Sequence, residues 1–271
     1  RGVEYKIDKN LIISLSEMVI YSGENRPIDI AYLNPVSTHL EIELNDKQNR
    51  IGTDSGNAVW QASLDLFAKN KFRFSGNFII DEIAMDKIER DRGKDHGYGF
   101  SFKAVYALDG SNDFNRKTLN KSFSLSYIKV NTNTFRHERV SNILSGEIIG
   151  YNNFVHKGAP LGWKYGSDGE EISLGLNFSD HKLFITSFNI GKRNIGSNSI
   201  INNPYDYYTD YLKGPFPSGE VNKTSFISGL FRYNWKSFLN IYAEIEYFRS
   251  NIIEKNYVVK FGLDMFYKNR I

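Results

Sequence analysis

Hydrophobic and polar residues alternate with period two over much of this chain, a pattern that predicts strands with one apolar and one wet face. From Asn57 to Ala68, the residues Ala58, Trp60, Ala62, Leu64 and Leu66 fall on one face, against Asn57, Gln61, Ser63 and Asp65 on the other. Over 71–82, Phe72, Phe74, Phe78 and Ile80 oppose Lys71, Arg73, Ser75, Asn77 and Asp81. Tyr98, Phe100, Phe102, Ala104, Tyr106 and Leu108 alternate with Gly97, Gly99, Ser101 and Lys103. The pattern returns at 171–179, 183–192, 223–235, 238–249 and 257–267, and more weakly at 121–131; Leu11–Tyr21 is apolar and β-rich. These segments make ten strands of about 9 to 13 residues, close to the ~9–11 that cross a bilayer and longer than the five or six usual in soluble sheets.

The connections sort into two kinds. Those at 22–56, 83–95, 132–170 and 193–221 are long, those at Lys69–Asn70, 179–182 and 236–237 are tight, and the 109–120 connection is the longer one on the side of the tight turns. Counted back from the last strand, the long ones fall on one side and most short ones on the other, as in a barrel with periplasmic turns and long extracellular loops. Charges such as Lys71, Arg73, Lys103, Glu244, Glu246 and Asp264 would then face the lumen, and the apolar face would touch lipid. Tyr98, Trp235, Tyr247, Tyr257 and Tyr267 stand near the ends of apolar faces, where an interfacial girdle belongs. The expectation is an all-β, antiparallel transmembrane outer-membrane β-barrel: a single domain over 1–271, with long loops at 22–56, 132–170 and 193–221. A soluble barrel or solenoid with unusually long strands is the competing fold. The 132–170 loop holds a short helix or two short strands near Ser141–Asn152.

Composition narrows the picture. No run of about 18 apolar residues exists to form a membrane helix. Aromatics reach 15% at a mean hydropathy of −0.43, a heavy aromatic load for a polar chain. A net charge of +3 from 34 basic and 31 acidic residues suggests no nucleic-acid partner. The absence of cysteine removes disulfides, thiol catalysis and Cys-based zinc sites, and suits passage through an oxidising envelope. The chain starts at Arg1 with no signal-like segment, so a processed or truncated piece is expected.

No catalytic motif stands out. The carboxylate pairs Asp81–Glu82, Glu170–Glu171 and Glu244/Glu246 are of a kind usually solvated or lumen-facing. The five histidines (39, 96, 137, 156, 181) lack metal-ligand spacing. The run 166–169 (GSDG) reads as a plain Gly-Asp turn before it reads as a calcium turn. No cofactor, metal or enzymatic activity is expected. The loops offer binding chemistry instead: carboxylates, amides and Arg for sugar hydroxyls, aromatic rings for sugar faces. Candidate glycan-binding residues are Glu24, Arg26, Asp29, Tyr32 and Asn34 in the first loop, His156 and Lys157 in the second, and Tyr205, Tyr207 and Asp210 in the third. The competing reading is that these side chains pack the loops on themselves and plug the barrel.

Several blocks carry a family resemblance. SEMVIYSGENRPIDIAYLNP (16–35) resembles the signature of the Wzi-like capsule assembly family, in which a strand ending S-E-x-V-x-Y runs into G-x-x-R-P and then Y-x-N-P. The match continues through NAVWQASLDL (57–66) and FIIDE (78–82), and returns at FVHKGAPLGWKYGSDG (154–169). It looks closest to the Bacteroidetes-type versions. The resemblance implies an outer-membrane barrel that helps attach capsular polysaccharide to the cell surface as a lectin, with outer-membrane lipid around a monomeric barrel and the loops on the extracellular side. Family barrels have more strands than ten, which implies that N-terminal strands are missing here. The ending YKNRI departs from the terminal Phe or Trp of many outer-membrane barrels. The alternative function is a porin or transport channel, suggested by the lumen-facing charges.

Overall fold

A computed structural model describes residues 1–22, 28–45, 56–69, 71–85, 87–91, 94–108, 119–137, 139–141, 145, 148–180, 183–202, 214–236 and 239–265. The elements in chain order are β1 (Gly2–Lys6), β2 (Leu11–Ile20), α1 (Ile30–Leu33), α2 (His39–Leu44), β3 (Asn57–Ala68), β4 (Phe72–Glu82), α3 (Lys87–Asp91), β5 (Gly97–Ala107) and β6 (Asn120–Val130). Four short strands follow: β7 (Arg139–Ser141), β8 (Ile148–Tyr151), β9 (Val155–His156) and β10 (Ala159–Pro160). The chain closes with β11 (Gly169–Ser179), β12 (Phe184–Gly196), β13 (Val221–Lys236), β14 (Leu239–Ser250) and β15 (Asn256–Met265).

One sheet of 11 strands holds the molecule together, in the order β1-β2-β3-β4-β5-β6-β11-β12-β13-β14-β15. Every neighbouring pair is antiparallel, so the chain simply runs up and down. All ten expected strands are present, and β1 is added at the edge, Val3 opposite Leu15 and Tyr5 opposite Ile13. The remaining short strands form two small hairpins inside the long 132–170 loop, so the up-and-down parity is kept. The two-short-strands alternative is the one found there, as β7 and β8. The charged 83–95 loop contains α3, and the 22–56 connection contains α1 and α2.

β12 runs four residues beyond the expected end at Lys192, through Gly196. Its last residues stay in the ladder because their polar groups are met: Gly169 pairs with Ile195 and Gly196 with Val221. Asn194 Nδ2 also donates to Glu170 Oε1 at 3.0 Å on the neighbouring strand.

The register sets the two faces. Leu174, Ile190, Ile227 and Tyr247 stand in one cross-strand row, and all are exposed. The same face carries Trp60, Phe78 and Phe102 in the first half of the sheet, and Phe188, Phe231, Ile245 and Leu263 in the second, again exposed. A central band of exposed apolar residues of this extent fits a lipid contact, not a water contact. Aromatic residues mark both of its ends. Phe72 and Tyr106 pack at 4.7 Å beside the tight turn of β4, and Trp235 lies at the same end of β13. Trp60, Tyr98, Tyr247 and Tyr257 lie toward the long loops. The opposite face is polar and small, with Gln61 Nε2 donating to Asn77 Oδ1 at 2.9 Å and Asn77 Nδ2 to Ser101 Oγ at 3.2 Å.

Candidate functional site

Most of the buried side chains among the described residues lie at the long-loop end, where loop segments fold onto the polar face. A tight turn after β6 places Thr134 and Phe135 over the ends of β4 and β5. Thr134 Oγ1 donates to the Tyr98 carbonyl at 2.8 Å, and the Phe135 amide donates to Asp81 Oδ2 at 2.6 Å. Phe154, only 1% exposed, packs on Phe135 at 5.5 Å, and its amide donates to the Phe135 carbonyl at 3.1 Å. Val59, Val130 and Ile200 complete the cluster, with Ile79, Ile128 and Trp163 against it. Behind it lies a cavity of about 280 Å³ lined by Met18, Gln61, Asn77, Ser101 and Trp163, among others.

Polar anchors hold the loops to one another. Asp168, fully buried, takes the left-handed conformation with φ 60°. Its Oδ1 accepts from Thr132 Oγ1 at 2.7 Å and from the Ser218 amide at 2.8 Å, and its Oδ2 accepts from Ser218 Oγ at 2.8 Å. The GSDG run is therefore a turn whose carboxylate joins three separate segments. Asn152, also fully buried, accepts from both the amide and hydroxyl of Ser22 at 3.0 Å, tying the hairpin region to the end of β2.

Beside this plug a charged and aromatic cluster lines the same face. Arg193 is 7% exposed. Its Nη1 donates to the Tyr165 hydroxyl and lies 3.2 Å from Glu171, and its Nη2 lies 3.3 Å from Glu246. The guanidinium stacks 3.9 Å above the Tyr165 ring and 5.1 Å from Phe226. Trp163 meets Tyr165 edge-on at 5.2 Å, and the exposed Lys164 ammonium stands 4.7 Å from the Tyr165 ring. Burial works against the Lys164 charge, but the Tyr165 hydroxyl and the carboxylates of Glu246 and Glu171 outweigh it and raise its pKa above the ordinary lysine value. Lys164 is thus cationic at neutral pH. Two carboxylates, two cations and adjoining aromatic rings can donate to and accept from hydroxyls while a ring face supports an apolar surface.

The expected binding residues fall into three groups. Glu24, Arg26, Tyr205, Tyr207 and Asp210 lie outside the described residues. Asp29, Tyr32 and Asn34 shape their own segment. Asp29 caps α1 by accepting from the Ala31 amide at 2.9 Å. The Tyr32 ring packs on Tyr21 and His39 at 4.8 and 5.7 Å, and its hydroxyl accepts from the Gly56 amide at 3.0 Å. Asn34 accepts from the Val36 amide at 3.0 Å and donates to Ser37 Oγ at 2.9 Å. His156 and Lys157 are exposed at the β9–β10 turn, with Lys157 at φ 49°.

The Arg193 cluster was not among the expected residues. Glu171 and Glu246 stood out only as inward carboxylates, and Trp163 and Tyr165 only as part of the 154–169 block. Arg193 fell at the start of an expected loop. Lys192, Arg193 and Asn194 are three polar residues in a row, so period-two alternation gives no signal that the strand continues there.

No family model matches this chain, and no curated protein matches it. Among solved structures it is similar to Wzi, described as an outer-membrane protein involved in group 1 capsule assembly in Escherichia coli and a carbohydrate-binding β-barrel. That match has a TM-score of 0.57 at 12% identity, over 97% of this chain and 49% of Wzi. The chain spans about half the length of the Wzi chain it matches. The CymD monoaromatic hydrocarbon channel matches at a TM-score of 0.41 and 9% identity, over 98% of this chain and 72% of that one. A Pseudomonas aeruginosa FadL homologue matches at 0.34 and 7%, over 97% and 64%. The sheet order, the two faces and the Wzi likeness give the fold: an all-β, antiparallel outer-membrane barrel with long loops gathered at one end.

Proposed function

We propose that this chain is a lectin-like outer-membrane barrel of the Wzi-like type, which attaches or assembles capsular polysaccharide at the cell surface through its long-loop end. In this reading the long loops face outward from the cell, the protein acts as a single barrel, and it binds without turning over its ligand. The observation that carries it is the Arg193–Tyr165–Glu171–Glu246 cluster beside a packed plug. It combines aromatic faces with fixed charges at the long-loop end, beside loop segments packed on the polar face. The quoted sequence blocks and the Wzi fold support the same reading. The exposed His156 and Lys157 turn supplies further polar groups at this end, and the loop residues Glu24, Arg26, Tyr205, Tyr207 and Asp210 remain part of the proposed surface. Long polymers gain avidity from many weak contacts of this kind.

The test is to remove the gene from its native host and assay polysaccharide on washed cells and in the medium. Normal total synthesis with polymer shed into the medium is the expected result. Capsule retained on cells as before would overturn the assignment.

A further inference from the structure

The outward face of β11 to β14 carries a second feature, unrelated to the plug. Ile172, Lys192, Ser225 and Arg249 are directly opposite one another across four strands and form one outward row near the long-loop end. The next row toward the tight turns is wholly apolar: Leu174, Ile190, Ile227 and Tyr247. Together these rows border a groove of about 590 Å³ on the exposed face. Lys223 stands two residues from Ser225 on the same face of β13, again at the loop end.

The three cations have no ion-pair partner among the described residues. A neighbouring outward carboxylate, Glu170, is already engaged by Tyr127 and Asn194 at 2.9 and 3.0 Å. Lys192 and Arg249 are two strands apart, about 9.6 Å between backbones. Their side chains can therefore close on one anion from both sides, with the Ser225 hydroxyl between them. Arg binds phosphate through two parallel N–H donors, and Lys adds a point charge. An anion alone would find no use for the apolar row below. A phosphorylated lipid fits both rows, its phosphate on the cations and an acyl chain along Leu174, Ile190 and Ile227.

We propose that the Lys192–Ser225–Arg249 row, with Lys223, is a binding site for the phosphate of a membrane lipid whose chains lie in the groove beneath. The site rests on the outward face being in contact with the membrane and is independent of what the mouth binds.

The test uses the full chain purified in maltoside micelles and native mass spectrometry with diphosphoryl lipid A, its phosphate-free counterpart, and inorganic phosphate. Wild-type protein is expected to retain diphosphoryl lipid A. The Lys192→Gln/Arg249→Gln variant should retain about 25-fold less, since each cation near a membrane surface contributes about a fivefold factor. Lys260→Gln, on the opposite face, should behave as wild type. If the double variant does not show the mobility of a folded barrel, Ser225→Asp, which places a carboxylate between the cations, should give the same loss. Equal retention by a folded row variant would overturn the site. So would equal retention of phosphate-free lipid, or saturable binding of inorganic phosphate that displaces the lipid. Failure of the wild-type chain to insert into liposomes would count against the membrane reading itself, whereas insertion without phosphate dependence would remove this site alone.

Discussion

Arg193 holds a charge in a place where charge is costly unless matched, and four residues match it. Two carboxylates neutralise it, a hydroxyl accepts from it, and two rings cover it. Truncating one partner of a buried ionic network leaves the others uncompensated, at a cost of about 3–5 kcal/mol. Arg193→Ala should therefore lower the denaturant midpoint and weaken polysaccharide binding by purified protein. Arg193→Lys keeps the charge but loses the planar stack and the forked donors, so binding should fall while most stability returns. Wild-type binding by a folded Arg193→Ala protein would remove this cluster from the glycan surface. The cluster was hidden in the sequence because its members come from β11, β12, β14 and a loop. Parity alone shows that Glu171 and Glu246 point inward; only the strand register shows that they meet at Arg193.

At the scale of elements, the strands and the plug differ in how openly they are written. Period-two alternation marks a strand wherever one face is apolar, and it marked the long strands other than Leu11–Tyr21, which was read from its apolar, β-rich run. β1 escaped because Gly2–Lys6 is short and half charged. The plug was not readable because its anchors are polar residues of types usually found at the surface: Thr134, Asn152, Ser167 and Asp168 are all fully buried. Their burial is set by partners far along the chain. Glycine also contributes here, since a Cβ at Gly162 would lie 2.6 Å from the Phe135 ring. Phe154 is the apolar centre of the plug, and Phe→Ala at such a site costs about 3–5 kcal/mol. Phe154→Ala should leave the strands folded and open the mouth. Protease should then cut within 137–165 first, and planar-bilayer recordings should change from silence in the wild type to discrete openings. Steady large openings of the wild type would instead support the channel alternative.

At the scale of the molecule, the sheet is built from neighbours in sequence, whereas the mouth joins parts of the chain that are far apart. Ser22 reaches Asn152 across 130 residues, Thr132 reaches Asp168 across 36, and Ser218 reaches Asp168 across 50. Contacts between distant parts of a chain form late, because the intervening chain must first be ordered. During refolding into lipid vesicles, the slow electrophoretic form of the unfolded chain should disappear before 137–165 becomes protected from protease. Protection of that segment ahead of strand insertion would reverse this order. Asp168→Asn should lengthen the interval by weakening charge-assisted bonds to Thr132 and Ser218, without changing the insertion rate. On that order the buried Asp168 would act on timing as well as on shape: the barrel would enter the membrane with its mouth unset, and Ser218 would have to arrive before the loops from the middle of the chain could lock.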